Sequence, residues 1–203
     1  MHPKKTKRIN HKSKKRTSTS VILIIIAGVL LGAGIYILLL LLTPKLSRNS
    51  AKEFQKTQEQ LQVSNKNFLT IPSASIAAEI SEGDVNVLDK GVVWHRLPAV
   101  GNPEKGGNTI LTGHSFIWGY TPKQIKEQSI FYNLNEVKVG DKLQVRWNNT
   151  TYNYEVSETK QVKPNQIEIE KPSKEAKLTI YTCTLGGSAD GRVVVIARPT
   201  DRQ

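Results

Sequence analysis

Cysteine is nearly absent from this sequence, and acidic residues are absent from its first 20 positions. Cys183 is the one cysteine in 203 residues, so the chain cannot form an internal disulfide bond. Residues 1–20 hold eight Lys or Arg, whereas the rest holds 21 basic against 17 acidic residues. The net charge of +12 is therefore concentrated in a short tail. Since the tail has no aromatic side chains to stack on bases, we expect no nucleic-acid partner.

Charge of either sign is missing from residues 21–42, VILIIIAGVLLGAGIYILLLLL. At about 1.5 Å per residue, a helix of this length is about 33 Å long and can cross a hydrocarbon core of about 30 Å. A cleaved secretory signal would have an apolar stretch of about 7 to 15 residues ending in small side chains, and this one ends in leucines. We therefore predict an uncleaved signal anchor, with the basic tail in the cytoplasm.

The remaining sequence divides into a short connecting segment and one domain. The predicted organisation is a cytoplasmic tail at 1–20, a single-pass transmembrane anchor at 21–42, a partly helical extracytoplasmic stalk at 43–65, and an extracytoplasmic domain at 66–203. Short apolar or alternating runs, such as KLQVRW and LTIYTC, are separated by turn residues throughout that domain. This spacing is typical of a β-barrel or β-sandwich, and a short helix is predicted near residues 122–128.

Cys183 ends the strand-like run LTIYTC. Alternation along a strand places Leu178 and Ile180 on one face and Cys183 on the other, next to a predicted loop at 185–191. An isolated extracytoplasmic thiol is reactive, paired with another molecule, or simply buried as a small side chain. A thiol at the end of a strand can meet a substrate, which favours the first interpretation.

A reactive thiol needs a proton acceptor, and His2 and His11 lie in the tail, on the other side of the predicted membrane. His114 follows a strand-like run and Gly113, whose freedom allows a tight turn into a loop. Taken alone, His114 could equally be structural. His95 stands between two residues with large side chains, and we interpret it as a structural residue packed on an aromatic neighbour.

Arg192 begins an apolar strand nine residues after Cys183. If the two strands pair, both side chains lie at the same end of adjacent strands. A guanidinium group there could stabilise an oxyanion by about 3 kcal/mol in a water-poor groove. The alternative for Arg192 is an exposed ion pair with Asp190.

Five short motifs resemble those of the sortases, the membrane-anchored cysteine transpeptidases of bacterial surfaces, and they follow one another along the chain in the family's order. LTIYTC is similar to the family signature Thr-Leu-any-Thr-Cys, with Ile180 where leucine is usual. RVVVIA resembles the family's arginine strand and GNTILTGHS its histidine segment. FLTIPSASIAAEI and IFYNLNEVKVGDKLQV are similar to two further stretches, and the likeness covers residues 67–199.

The resemblance implies a mainly β fold, a closed barrel of about eight strands with short helices, preceded by the transmembrane helix. It implies that Cys183 is the nucleophile, that His114 transfers protons, that Arg192 binds the substrate backbone and the oxyanion, and that Thr182 supports this site. No cofactor is implied. The expected reaction, of the hydrolase class of cysteine peptidases, cleaves an LPXTG-like C-terminal sorting signal of a surface protein through a thioester. The acyl group then passes to an amine of a cell-wall precursor.

Three alternatives remain at this point. A pilin lysine could be the acceptor, as in pilin-polymerising sortases. An L,D-transpeptidase-like enzyme would carry His-Gly-Cys, which Tyr181-Thr182-Cys183 does not match. An inactive peptide-binding module is disfavoured by the intact Cys, His and Arg. No metal is expected, because the calcium sites of some sortases need several acids before the histidine strand, and residues 92–113 hold only Glu104.

Overall fold

The computed structural model describes residues 17–48 and 51–200. The chain divides into two compact units at Leu38. The first helix, α1, is Thr17–Arg48, and its part Ser20–Leu42 is long and apolar enough to cross a membrane, with a mean hydropathy of 2.9. This part contains the predicted anchor at 21–42. Most of the basic tail lies outside the described residues.

Nine strands and two further helices form the second unit. Helix α2 is Ala51–Val63 and α3 is Pro122–Gln128, which confirms the helix predicted near 122–128. Short 3₁₀ helices occur at Pro72–Ala74, Val85–Lys90, Leu134–Glu136 and Ile167–Glu170. The strands are β1 Phe68–Ile71, β2 Ile76–Ser81, β3 Val93–Arg96, β4 Gly101–Asn102, β5 Gly106–Thr112, β6 Lys142–Trp147, β7 Thr150–Val162, β8 Lys177–Thr184 and β9 Gly187–Pro199.

Eight of these strands form a closed barrel. Their order is β3-β2-β1-β6-β7-β9-β8-β5, and β3 pairs with β5 to close the ring, while the two-residue β4 pairs with β5. The neighbours β2 and β3 are parallel, as are β5 and β8, and the other pairs are antiparallel. Closure leaves the ring without a free edge. The predicted mainly β fold, with a closed barrel of about eight strands and short helices, is confirmed.

The inside of the barrel is filled by apolar side chains from alternate positions of the strands. In β6, Leu143, Val145 and Trp147 are buried and alternate with exposed or half-buried polar residues. The same period of two recurs in β2. Burial of such side chains contributes about 25 cal/mol for each Å² removed from water, which makes this alternation the main local determinant of the barrel.

Strand β8 is buried on both faces. Leu178 and Ile180 belong to the core inside the barrel. Tyr181 points to the other face, where it forms a second apolar cluster with Ile110 and Val194. Two positions on, Cys183 lies on the same outer face as Tyr181, in agreement with the predicted alternation.

Helix α2 lies against the barrel. Phe54, Gln58 and Leu61 are spaced along one face of this helix and are half-buried, whereas Ala51 at the helix start is exposed. The Arg146 Nη1 group of β6 donates a hydrogen bond to the Gln62 carbonyl, at 3.2 Å. A cavity of about 650 Å³ lies between α2, β2 and α3. The helix that follows α1 along the chain is therefore part of the barrel unit.

The connection between β7 and β8, residues 163–176, is fixed to the barrel by a fully buried asparagine. Asn108 Nδ2 donates to the carbonyl groups of Ile169 and Lys171, at 3.0 and 2.9 Å. Its Oδ1 atom accepts a hydrogen bond from Thr179 Oγ1 at 2.7 Å. One side chain thus satisfies three buried or half-buried polar groups and ties the connection to β8.

Glu170 fixes the same connection at a second point. Tyr181 donates a hydrogen bond from its hydroxyl to Glu170 Oε1, at 2.5 Å. Arg96 Nε lies 2.7 Å from the same oxygen, and the Arg96 guanidinium stacks over the Trp94 ring at 5.2 Å. Burial and the bond to Glu170 raise the pKa of Tyr181 well above its usual range. The tyrosine therefore stays a hydrogen-bond donor at every physiological pH.

We predict that Asn108→Ala lowers the free energy of unfolding by about 3 kcal/mol, because it leaves a buried hydroxyl and two carbonyl groups without partners. Chemical denaturation of the full chain in detergent, followed by circular dichroism, measures this. Hydrogen exchange should accelerate within residues 163–176. The matched control is Asn165→Ala, an exposed asparagine of the same connection, expected to change stability by less than about 0.5 kcal/mol. Equal exchange in both variants would show that other groups hold the connection.

Candidate active site

Three neighbouring strands bring the candidate site residues together. Cys183 of β8 is paired directly with Arg192 of β9. On its other side, β8 runs parallel to β5 with Tyr181 opposite Thr112. His114 follows Thr112 by two residues, as Cys183 follows Tyr181, so both residues lie just beyond the last pair of this parallel ladder, at the same end of the barrel. All three side chains are half-buried at one end of the barrel.

A buried hydrogen bond holds this arrangement just before the two strands separate. Thr182 Oγ1 donates to the Gly113 carbonyl at 2.7 Å. A side chain at Gly113 would lie 2.9 Å from the Phe131 ring, so only glycine fits there without a shift. The Phe131 N–H donates to the His114 carbonyl at 2.8 Å. His114 is therefore fixed through the backbone on both sides.

The segment after Cys183 differs from the prediction of a loop at 185–191. The structure has a two-residue turn, Leu185-Gly186, and β9 already begins at Gly187, which pairs with Thr184. Between that pair and the Cys183–Arg192 pair the register shifts, so four residues of β9 form a bulge. The prediction was wrong because a lone strand pattern cannot reveal a bulge that interrupts a hairpin.

Arg192 closes the bulge. Its Nη1 group donates to the carbonyl oxygens of Ser188 and Gly191, at 2.8 and 2.9 Å. Asp190 instead accepts a hydrogen bond from Thr184 Oγ1 at 2.5 Å. The alternative of an Arg192–Asp190 ion pair is therefore wrong for the described residues, among which Arg192 has no acidic partner.

The charge state of His114 depends on burial and on one carboxylate. Burial lowers the pKa of His114 below its ordinary value of 6.5, and the nearby Asp89 carboxylate partly opposes this effect. Asp89 is exposed, in the 3₁₀ helix Val85–Lys90. The imidazole is consequently neutral at physiological pH, in the form that can accept a proton.

A pocket of about 160 Å³ opens at Cys183. One wall comes from the end of β8, the turn after it, and β7 and β9. The other wall comes from the segments that follow His114 and α3. The lining residues are Ser115, Phe131, Tyr132, Asn135, Gln161, Thr182, Cys183, Thr184, Leu185 and Val193. The thiol is thus accessible from a concave surface of mixed polarity.

Aromatic side chains border the pocket on the His114 side. The rings of Phe116 and Trp118 meet edge to face with centroids 5.4 Å apart, and Phe116 lies 6.2 Å from Tyr132. Trp118 is 62% exposed, which is unusual for so large an apolar side chain. These rings form a partly exposed aromatic cluster in the segment that follows His114, joined to the pocket wall through Tyr132.

His95 has the structural role that was predicted. It is completely buried, and its ring meets Trp147 edge to face at 5.0 Å. The Nε2 atom donates to the Gly101 carbonyl and Nδ1 lies against Glu82 Oε1, both at 2.9 Å. Both ring nitrogens are thus used to join β3 to neighbouring segments.

No group of three or more His, Cys, Asp and Glu side chains that could hold a metal ion occurs within residues 17–48 and 51–200. The expectation of calcium-independent activity stays a prediction.

Sequence reasoning missed several residues that shape the site. Asp89, Ser129 and Phe131 act on the His114 segment from elsewhere in the chain, and Asn108 holds the connection between β7 and β8. Asn108 and Phe131 stand within two of the quoted motifs, but those motifs do not indicate which groups the two residues contact. Their roles follow from the closed barrel, which no local pattern encodes.

The comparisons with known proteins agree with this geometry. The family model of the sortase domain matches residues 69–200, more than half of the chain. The chain belongs to the sortase family. Sortases are transpeptidases, and the match covers every strand of the barrel except one residue at the start of β1. A comparison with the curated proteins gives no significant match.

Solved sortase structures share the fold at low sequence identity. Sortase A of Listeria monocytogenes is 20% identical with a TM-score of 0.57, covering 66% of this chain and 86% of that one. A sortase D5 transpeptidase of Clostridium perfringens is 19% identical with a TM-score of 0.56, covering 78% and 94%. Sortase C-1 of Actinomyces oris is 24% identical with a TM-score of 0.55, covering 75% and 84%. These likenesses establish the sortase barrel.

We predict that the imidazole of His114 titrates below 6.5 and that Asp89→Asn lowers its pKa further, because the carboxylate is the group that raises it. Glu127→Gln, a charge removal on α3, should leave that pKa unchanged. Imidazole NMR signals of histidine-labelled protein measure all three. Since the unfolded chain binds more protons below pH 6.5, His114 should make the free energy of unfolding fall as the pH falls through this window. A pKa of His114 at or above 6.5 would contradict the burial argument.

Proposed function

We propose that this sortase uses Cys183 as nucleophile, His114 as proton carrier and Arg192 as the group that binds the substrate carbonyl. The observation that carries the proposal is the pairing of β8, in which Cys183 lies opposite Arg192 and the last pair with β5 lies two residues before both Cys183 and His114. Nucleophile, acid–base group and oxyanion donor must lie within contact of one reacting carbonyl group.

The reaction begins with proton transfer from the Cys183 thiol to neutral His114. The thiolate then attacks the carbonyl carbon of the scissile peptide bond. The imidazolium returns the proton to the departing amine, and a thioester remains on Cys183. Burial disfavours the imidazolium, so the neutral imidazole is the form of His114 that takes the proton.

Arg192 has donors left for the substrate. Its Nη1 group holds the bulge carbonyls, and its Nε and Nη2 groups have no partner among the described residues. A guanidinium has five N–H donors in a rigid plane, so one edge can anchor the strand while another meets an oxyanion. Thr182 supports the site from behind, since its hydroxyl proton is engaged with the Gly113 carbonyl.

The substrate of this reaction is a surface protein with an LPXTG-like C-terminal sorting signal. The pocket at Cys183 has room for one or two side chains of a peptide that lies across it. The cysteine peptidases among the hydrolases use the same acylation step, with water as the acceptor. Here an amine takes that place, and the product is a new peptide bond.

The acceptor that we propose is an amine of a cell-wall precursor. A pilin-polymerising enzyme would require a lid with an aspartate and an aromatic residue over the thiol. In the described part of the chain, no residue before Ser115 lines the pocket, and α2 lies against β2 instead. The side-chain amine of a pilin lysine is the second candidate acceptor.

The proposed location is the cell membrane, with one span and the barrel outside. The helix Ser20–Leu42 and the eight basic residues before it support this orientation. The predicted division into tail, anchor, stalk and domain remains part of the proposal.

We predict that an LPXTG peptide forms a thioester with the full chain in detergent, visible as added mass. Cys183→Ala should abolish the adduct, because no comparable nucleophile lies in the pocket. His114→Ala should slow acylation by about 10² or more, since the amine then leaves without a proton donor. Arg192→Ala should slow it by about 10² through loss of an oxyanion donor.

The matched control for Arg192 is Arg198→Ala, an exposed arginine of the same strand that pairs with Glu175. An exposed ion pair contributes under about 1 kcal/mol, so this variant should acylate at nearly the normal rate. An adduct that survives Cys183→Ala refutes the nucleophile. Equal acylation rates in Arg192→Ala and Arg198→Ala would show that Arg192 only stabilises the bulge of β9 and does not bind the oxyanion.

We predict that a membrane-impermeant maleimide labels Cys183 in intact cells. The reason is that the thiol is half-buried at an open pocket of a domain on the outer side. Cys183→Ala cells provide the blank, and lysed cells give the maximum labelling. Labelling that requires lysis reverses the proposed orientation.

A further inference from the structure

Two segments meet at the C-terminal end of α3, next to His114. Gln128 Nε2, in the last residue of α3, donates to the Asp89 carbonyl at 3.0 Å. Ser129, the next residue, accepts a hydrogen bond on Oγ from the Ile117 N–H at 3.1 Å. Consecutive residues therefore hold the 3₁₀ helix with Asp89 and the segment after His114 side by side.

Asp89 has a free carboxylate on this surface. It is exposed, and its side chain has no ion pair or hydrogen bond among the described residues. It lies close enough to His114 to raise the pKa of the imidazole against the effect of burial. Its neighbour Lys90 lines the cavity under α2, as does Glu127, whereas Asp89 does not. The Asp89 carboxylate is thus outside that cavity, and its charge acts on the His114 imidazole.

The aromatic rings that border the pocket lie in the segment held beside Asp89. Trp118 exposes most of its surface, and Phe116 supports it edge to face at 5.4 Å. The face of an aromatic ring carries partial negative charge and attracts cations, as a carboxylate does. Carboxylate and rings are thus complementary to the same kind of ligand, an organic cation with an apolar stem.

We propose that Asp89, Phe116 and Trp118 form an acceptor patch that binds the primary ammonium group of the incoming amine beside His114. This rests on the transpeptidase reaction proposed above. The mechanism determines from which side the amine approaches the thioester. His114 must take a proton from the attacking nitrogen, so the acceptor must approach over the imidazole. Arg192 borders the thiol from the opposite strand, where a cation would be repelled.

The proton balance shows what the patch contributes. A primary alkyl amine arrives protonated at neutral pH. It releases one proton to water, and its nitrogen forms a bond to the thioester carbon. The carbon–sulfur bond breaks with its electron pair on Cys183 Sγ, and the second proton passes from nitrogen to neutral His114. An amide, a thiolate and an imidazolium result. The patch raises the local concentration of the ammonium form that precedes these steps.

The test separates the charged acceptor from an uncharged one. The full chain in detergent is acylated with an LPXTG peptide, and the thioester is resolved with triglycine, an ammonium, or with hydroxylamine, which is largely uncharged at neutral pH. Asp89→Asn and Trp118→Ala should each raise the KM for triglycine by about five- to tenfold, from loss of an ion pair or of a cation–π contact. In Trp118→Ala, acylation and resolution by hydroxylamine should stay within about twofold of the unmodified protein. Asp89→Asn also lowers the pKa of His114, so its acylation and hydroxylamine resolution can change in rate, and the rise in the KM for triglycine is the readout specific to acceptor binding.

Matched variants and salt sharpen the result. Glu127→Gln removes a carboxylate of α3 that lines the other cavity, and it should leave the KM for triglycine unchanged. Trp118→Phe keeps an aromatic face and should recover most of the affinity lost in Trp118→Ala. Added salt should raise the KM in the unmodified protein and in Trp118→Ala, and much less in Asp89→Asn, because screening acts on the carboxylate contribution.

Three outcomes overturn the proposal. An unchanged KM for triglycine in Asp89→Asn removes the carboxylate from acceptor binding. Slower resolution by both nucleophiles, with a shifted pH profile and a constant KM, shows that Asp89 acts through the acidity of His114 alone. Absence of a thioester in the unmodified protein refutes the transpeptidase mechanism itself, and the patch with it.

Discussion

Strand β8 pairs with β5 on one side and with β9 on the other, and every group proposed to react takes its position from this double pairing. Strand β5 runs parallel to β8, so the two chains leave the sheet at the same end, and His114 and Cys183 each follow the last pair, Thr112–Tyr181, by two residues. An antiparallel neighbour returns the chain, which brings Arg192 opposite the thiol. A shift of one residue in either ladder would turn one of the side chains to the other face of the sheet. The buried Thr182–Gly113 hydrogen bond opposes such a shift at the point where β5 ends.

The sequence predicted the parts of the site that are local. Cys183, His114 and Arg192 each stand at the end of an apolar run, and α3 begins with Thr121 as N-cap and proline at its first position. The alternation of β8 was predicted from the residues alone. The closed barrel came from the resemblance, because periodicity alone left a barrel and a sandwich equally open.

What the sequence could not predict depends on contacts between distant residues. Asn108 and Glu170 are 62 positions apart along the chain and hold one connection, and nothing in their local sequence indicates it. The bulge in β9 is a second example. The sequence around Ser188 and Gly191 predicts a loop, and nothing in it indicates that Arg192 binds the carbonyl groups of both residues. Such groups gain their roles from the closure of the barrel, which brings them within hydrogen-bond distance.

The two sides of the pocket differ in how they are built, and the difference suits a reaction with two successive substrates. On the side of β8, the pairing with β5 and β9 and the Thr182–Gly113 hydrogen bond fix the backbone before any substrate binds. Less ordering is then needed when the sorting peptide docks. On the side of His114, the surface is open and carries exposed rings.

By microscopic reversibility, the amine that departs in acylation and the amine that arrives later pass through the same place beside the imidazole. In the proposed mechanism, the departing amine leaves uncharged, because His114 has just given it a proton in place of the broken bond, and the patch holds an uncharged amine weakly. In water it becomes an ammonium, and in that form it competes with the acceptor for Asp89 and Trp118. A patch that binds cations therefore favours whichever amine is more abundant outside the enzyme. In this arrangement the direction of transfer is set by the supply of acceptor, and the protein itself needs only one acid–base group for both halves of the reaction.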